Sequence, residues 1–118
     1  MGIEKLLGKT LVNIDINEHK DVIIFTDLEG NRYQMFHEQE CCEDVGIEEV
    51  IGDLNDLIGE PITMAEESTN REDKMGKDIY DDFTWTFYKL ATIKGYVTIG
   101  WLGESNGCYS EDVEFVKL

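Results

Sequence analysis

The chain has 118 residues, the usual size of one domain, and at 42% hydrophobic and 10% aromatic it can build a core without staples. Its extreme property is charge: 10 Lys and Arg stand against 26 Asp and Glu, a net charge of −16 at pH 7. A field of that sign repels nucleic acid and anionic lipid, so it argues against direct binding to either and favours a basic partner, a cation or plain solubility.

The opening residues, Met1 to Gly8, contain no long apolar run of the kind a signal peptide needs, and no stretch reaches the ~20 apolar residues of a membrane span. The expected setting is cytoplasmic. Cys41, Cys42 and Cys108 make an odd number, so reduced thiols or metal ligands are expected rather than a disulfide framework.

In chain order, Ile3 to Leu7 reads as about one helical turn, ended by Gly8. The alternation of Val12, Ile14 and Ile16 with Asn13 and Asp15 predicts a strand over 11–16. After a turn at 17–20, Asp21 to Thr26 is apolar on both faces and predicts a central strand. Asp27 to Asn31 is a tight turn, and Arg32 to His37 a third strand with Tyr33, Met35 and His37 on one face. The three form a meander.

A cysteine-containing loop follows over 38–46. Ile47, Val50, Ile51, Leu54, Leu57 and Ile58 then recur at offsets of three and four, the spacing of an amphipathic helix, weakened by Gly52 and stopped by Gly59 and Pro61. A short strand is expected over 62–67, and the polar stretch 68–82 reads as a mobile loop. Phe83 to Tyr88 alternates aromatics with threonines and is the clearest strand. Lys94-Gly95 turns it into a second, Tyr96 to Trp101, and the pattern predicts Phe83, Trp85, Phe87, Ile99 and Trp101 packing together across that hairpin. A turn over 104–107 and a last strand over 113–116 complete the chain. The expected fold class is α+β: a single domain over 1–118 with a bent antiparallel sheet of about six or seven strands and one main helical segment.

The chemically dense segment is His37-Glu38-Gln39-Glu40-Cys41-Cys42-Glu43-Asp44. Whether the chain continues as strand or turns into a helix, His37 and Cys41 can approach one another. Imidazole and thiolate suit zinc, which takes four tetrahedral ligands. His37 and one or both of Cys41 and Cys42 are the candidate ligands, Cys108 a further sulfur, and Asp44, Asp53 or Glu66 oxygen alternatives. The competing reading makes the cysteines small buried hydrophobes and His37 an ordinary strand-end residue. A Cys–His nucleophile fits poorly, because Glu38, Glu40, Glu43 and Asp44 disfavour a thiolate. No phosphate-binding loop, dinucleotide fingerprint or nucleophile elbow occurs, so no enzyme activity is expected.

Between Arg32 and Arg71 there is no Lys or Arg, while acidic residues run from Glu38 to Glu67. An acidic tract of this length mimics a phosphate backbone and can dock into a basic groove. Glu48, Glu49, Asp53 and Asp56, on or beside the polar face of the expected helix, are the candidate partner-binding residues.

The motif His37-x-x-x-Cys41-Cys42-Glu43, with Gly52-Asp53-Leu54, Ala65-Glu66-Glu67, the run Phe83 to Thr92 and Gly103-Glu104-Ser105-Asn106-Gly107, resembles a family of small acidic phage and prophage proteins. Proteins of that kind include anti-defence factors, among them zinc-containing inhibitors of type II-A Cas9. The resemblance implies a phage-encoded anti-CRISPR inhibitor that binds a host nuclease such as Cas9 in the cytoplasm and blocks nucleic-acid loading, with a structural zinc. The alternative is a phage accessory or structural protein without metal, its cysteines in the core.

Overall fold

The structure, a computed structural model, describes residues 2–37, 44–73, 82–105 and 113–118. The described residues form eight strands: β1 Leu11–Ile16, β2 Val22–Asp27, β3 Arg32–Phe36, β4 Asp44–Ile51, β5 Met64–Asp73, β6 Asp82–Thr92, β7 Gly95–Ser105 and β8 Glu114–Lys117. They form two four-stranded sheets, ordered β1-β2-β3-β8 and β4-β7-β6-β5, in which every paired neighbour is antiparallel. The helical content among the described residues is two 3-10 turns, Ile3–Leu6 and Leu54–Leu57. The fold class is therefore all-β, which corrects the α+β expectation and its main helix.

The reason for that correction lies in β4. A bulge between Ile47 and Glu49 inserts one residue into the ladder, so Ile47 faces Trp101 of β7 and Val50 faces Ile99. Both partners point into the core. Two same-side residues thus stand three apart instead of two, the offset that also marks a helix face. Gly52 ends the strand with φ +105°, and a methyl group there would lie 2.4 Å from the Tyr96 carbonyl oxygen. Only glycine allows this turn and close approach. The chain then makes the 3-10 turn Leu54–Leu57, which buries Leu57, and residues 58–62 run beside the start of β1: Gly59 donates to the Leu11 carbonyl and Ile62 to that of Lys9.

The β1-β2-β3 meander matches the sequence pattern. Alternation along β2 buries Ile23 and Phe25, and along β3 Tyr33 and Met35. Facing them from the second sheet are Tyr88 and Leu90 of β6 and Val97, Ile99 and Trp101 of β7. Trp101 is fully buried and its indole N–H donates to the Met35 sulfur at 3.2 Å, so one side chain joins the two sheets. The expected loop over 68–82 begins as strand, since Ser68 to Asp73 belong to β5, and Asp82 opens β6; residues 74–81 lie outside the described residues.

The β6–β7 hairpin also corrects the packing expectation. Its register pairs Thr86 with Trp101, Tyr88 with Ile99 and Leu90 with Val97, whereas Trp85 pairs with Leu102 and Phe87 with Gly100. Directly opposed residues share a face. Thr84, Thr86, Tyr88 and Leu90 therefore point inward and are buried, and Trp85 and Phe87, both half-buried, lie on the other side of the sheet.

Candidate binding surface

Of the four carboxylates singled out from the sequence, Glu48 and Glu49 are exposed on β4, Glu48 at the bulge and Glu49 opposite Gly100. They lie on an edge strand and not on a helix. Asp53 caps the 3-10 turn, accepting from the Asn55 N–H at 2.9 Å. Asp56 packs against the hairpin: its Oδ2 would lie 2.9 Å from a methyl group at Gly95, and its carbonyl accepts the Thr92 hydroxyl. Two of the four are thus free to meet a partner, and two also hold local structure.

His37 directly follows β3 and is half-buried. Cys41, Cys42 and Cys108 lie outside the described residues. The strands that flank them are neighbours: Phe36 pairs with Glu114 and Asp44 with Glu104. The connections carrying the three cysteines thus start and finish at the same two places, one on each sheet. Of the oxygen alternatives, Asp44 opens β4 and Glu66 is exposed on β5, far along the ladder from those anchors. Among the described residues no three His, Cys, Asp or Glu side chains come together as a metal-ligand group.

Sequence reasoning missed the outer face of the β4-β7-β6-β5 sheet as a surface. Trp85 and Phe87 stack there with ring centroids 5.4 Å apart and parallel planes. Gly100 makes room for the Phe87 ring and the Glu49 stem: a methyl group in its place would sit 3.2 Å from Phe87 Cε1 and 3.0 Å from Glu49 Cγ. The signal was present in the hairpin itself, because alternation puts Phe87 and Trp85 opposite Gly100 and Leu102 rather than opposite Trp101.

The best-defined electrostatic feature is structural. Asp27, 2% exposed at the end of β2, accepts from the N–H groups of Glu29 (3.0 Å) and Asn31 (2.8 Å), from the Asn31 amide and from the Tyr33 hydroxyl (both 3.3 Å). Burial opposes its ionisation, but the hydrogen bonds from Asn31, Glu29 and Tyr33 outweigh it and hold its carboxyl below the usual range. Tyr33 is pushed the other way, by burial first and then by the Asp27 charge. The clefts lined by the described residues are small. One of about 190 Å³ is lined by His19, Asp44, Gly46, Ile47, Glu48 and Leu102, and another of about 240 Å³ lies over the Asp27 turn. Both fall below the ~300 Å³ at which small-molecule pockets begin. Among the described residues no helix is long and apolar enough to cross a membrane.

Fold and surface together define a class: an antiparallel, two-sheet β domain with an acidic edge strand and an aromatic outer face. No curated protein and no solved structure matches the chain. Residues 4–115 match a family described as "Domain of unknown function (DUF7448)", and the chain belongs to that family. Its description assigns no activity.

Proposed function

We propose that this protein is a non-catalytic binding protein whose acidic surface docks onto a basic, nucleic-acid-handling partner. The observation that carries the reading is the net charge of −16, with Asp44, Glu48, Glu49, Glu66 and Glu67 exposed on β4 and β5, the two edge strands of one sheet. Exposed carboxylates in that number steer a basic partner and repel nucleic acid. The particular partner, a host nuclease of the type II-A Cas9 kind, is supported by the resemblance to small acidic phage proteins, as is a cytoplasmic site of action. The protein would occupy the groove that nucleic acid uses and block its loading.

The reading includes a structural zinc held by His37, Cys41, Cys42 and Cys108. Its support is donor chemistry, together with the shared anchor points of the connections that carry these residues. Bound zinc would tie one sheet to the other at that end, with no part in any reaction. Elemental analysis of untagged protein is expected to find about one zinc per chain, and His37→Ala to lower zinc content and thermal stability together. Metal-free protein of unchanged stability would return the cysteines to the core and favour the accessory-protein reading.

The functional test is a DNA-cleavage assay with purified Cas9 and guide, the protein being added before or after target DNA. Inhibition only on prior addition is the expected result, weakening as salt rises because the Debye length falls from about 10 Å at 0.1 M to about 3 Å at 1 M. Charge reversal at Glu48 and Glu49 should relieve it without unfolding the domain. Reversal at Asp53 or Asp56 should also cost stability, given their capping and packing roles. Absence of inhibition across several Cas9 homologues would contradict the nuclease assignment.

A further inference from the structure

We propose that the outer face of the β4-β7-β6-β5 sheet, centred on Phe87, Trp85 and Glu49, anchors an arginine side chain of a basic protein partner. The inference rests on the reading of the chain as an acidic binding protein and narrows it from an overall charge to a place.

Two large aromatics stand on a sheet face that no other described strand covers, because the inner face alone packs on the β1-β2-β3-β8 sheet. They are not part of the core, whose buried aromatics are Phe25, Tyr33, Tyr88 and Trp101. Gly100 sets the geometry of Phe87 against Glu49. With no Cβ at that position, the edge of the Phe87 ring and the stem of Glu49 converge over the same point of β7, and Trp85 extends the aromatic platform along β6. A stacked aromatic pair with an acidic side chain at the edge of one ring supplies the two partners of a guanidinium, an aromatic plane to stack on and a carboxylate to pair with. Lysine offers a compact, strongly hydrated charge and uses such a platform less well.

The surroundings select the occupant. Among the described residues, Asp44, Glu49 and Glu66 lie on this face by register with Lys89 opposite Glu66, and at its β4 edge Lys20 lines a cleft beside Glu48 and Glu49. The face is therefore net negative and sits on a chain of net charge −16. A second copy would bring like charges together, and a nucleic-acid strand would bring phosphates against carboxylates, although its bases could stack. A basic protein satisfies both the charge and the platform.

The test uses the full chain with nona-arginine as probe and nona-lysine as control, at about 0.15 M salt, where exposed charges are largely screened. The two indole N–H signals in a nitrogen-15 NMR spectrum report on opposite faces of the sheet. Nona-arginine is expected to shift the Trp85 signal and leave that of Trp101, and to bind at least about threefold more tightly than nona-lysine. Phe87→Leu, and independently Gly100→Ala, which displaces the ring and the Glu49 stem while keeping their chemistry, should each weaken binding about tenfold, or about 1.4 kcal/mol. Glu29→Gln, in the turn after β2, should leave it unchanged. An unmoved Trp85 signal, wild-type affinity in Gly100→Ala, a Trp85 shift with oligothymidylate, or one that grows with protein concentration alone would each overturn the proposal. If nona-arginine binds without moving Trp85 and Glu48→Lys abolishes that binding, acidic docking stands and this face does not. If nona-arginine does not bind even at about 0.05 M salt, where screening is weaker, both fail.

Discussion

Trp85 and Trp101 lie on adjacent strands one ladder step apart, Trp85 opposite Leu102 and Trp101 opposite Thr86, yet they serve different parts of the molecule. Trp101 is fully buried, bonds the Met35 sulfur and joins the two sheets. Trp85 stacks on Phe87 outside the core, beside a carboxylate-rich edge. The same residue type thus acts as a structural pillar on one face and as half-buried aromatic surface on the other. What separates them is the parity of the pleat, since neighbouring positions along a strand point to opposite sides.

The contrast is broken most forcefully at the pillar. Trp101→Ala should cost about 3–5 kcal/mol, the usual range for deleting a fully buried large aromatic, read from denaturant unfolding. Trp85→Ala should cost less than about 1.5 kcal/mol, because its half-buried ring lies outside the core and leaves a smaller cavity. Equal losses at the two positions would mean that both rings belong to the core.

This parity is legible in the sequence, and it opposes the packing expected from hydrophobicity alone. A two-residue turn pairs residues whose numbers have an odd sum, so two odd-numbered residues on the two arms of such a hairpin lie on opposite faces. Trp85 and Trp101 are both odd-numbered. The alternation of aromatics with threonines drew the aromatics inward by hydrophobicity, but the apolar set Val97, Ile99 and Trp101 on β7 fixes the inner face and carries Thr84 and Thr86 in with it. The helix expected over 47–58 failed for a related reason. A bulge is invisible to a periodicity argument, because it converts a spacing of two into one of three. The meander was readable because β1 to β3 are joined by short turns with strong Asn, Asp and Gly signals, and alternate along β2 and β3 without such shifts. Of the expected site, Glu48 and Glu49 proved exposed as their charge implied, and the cysteines lie outside the described residues.

A smaller effect sharpens the comparison from the first sheet, where polar atoms do structural work. Asp27→Asn should cost about 1–3 kcal/mol, since the amide presents donors to groups that themselves donate. The carboxyl is held below its unfolded value, so its contribution is fully present above about pH 4 and is lost as pH falls through the lower, folded value. In Asp27→Asn the fall in unfolding midpoint between about pH 5 and pH 2 should therefore be shallower than in the wild type. Parallel curves for the two proteins would remove Asp27 from the acid-labile groups.

The most direct test of the division between the two faces needs no partner. Trp101→Phe leaves Trp85 as the sole tryptophan, and Trp85→Phe leaves Trp101. Acrylamide should quench the fluorescence of the Trp85-only protein readily and its emission should lie to the red, whereas the Trp101-only protein should resist quenching and emit to the blue, as expected for a side chain with no exposed surface. A Trp85 as protected as Trp101, or the reverse order, would contradict the two-faced hairpin on which the account depends.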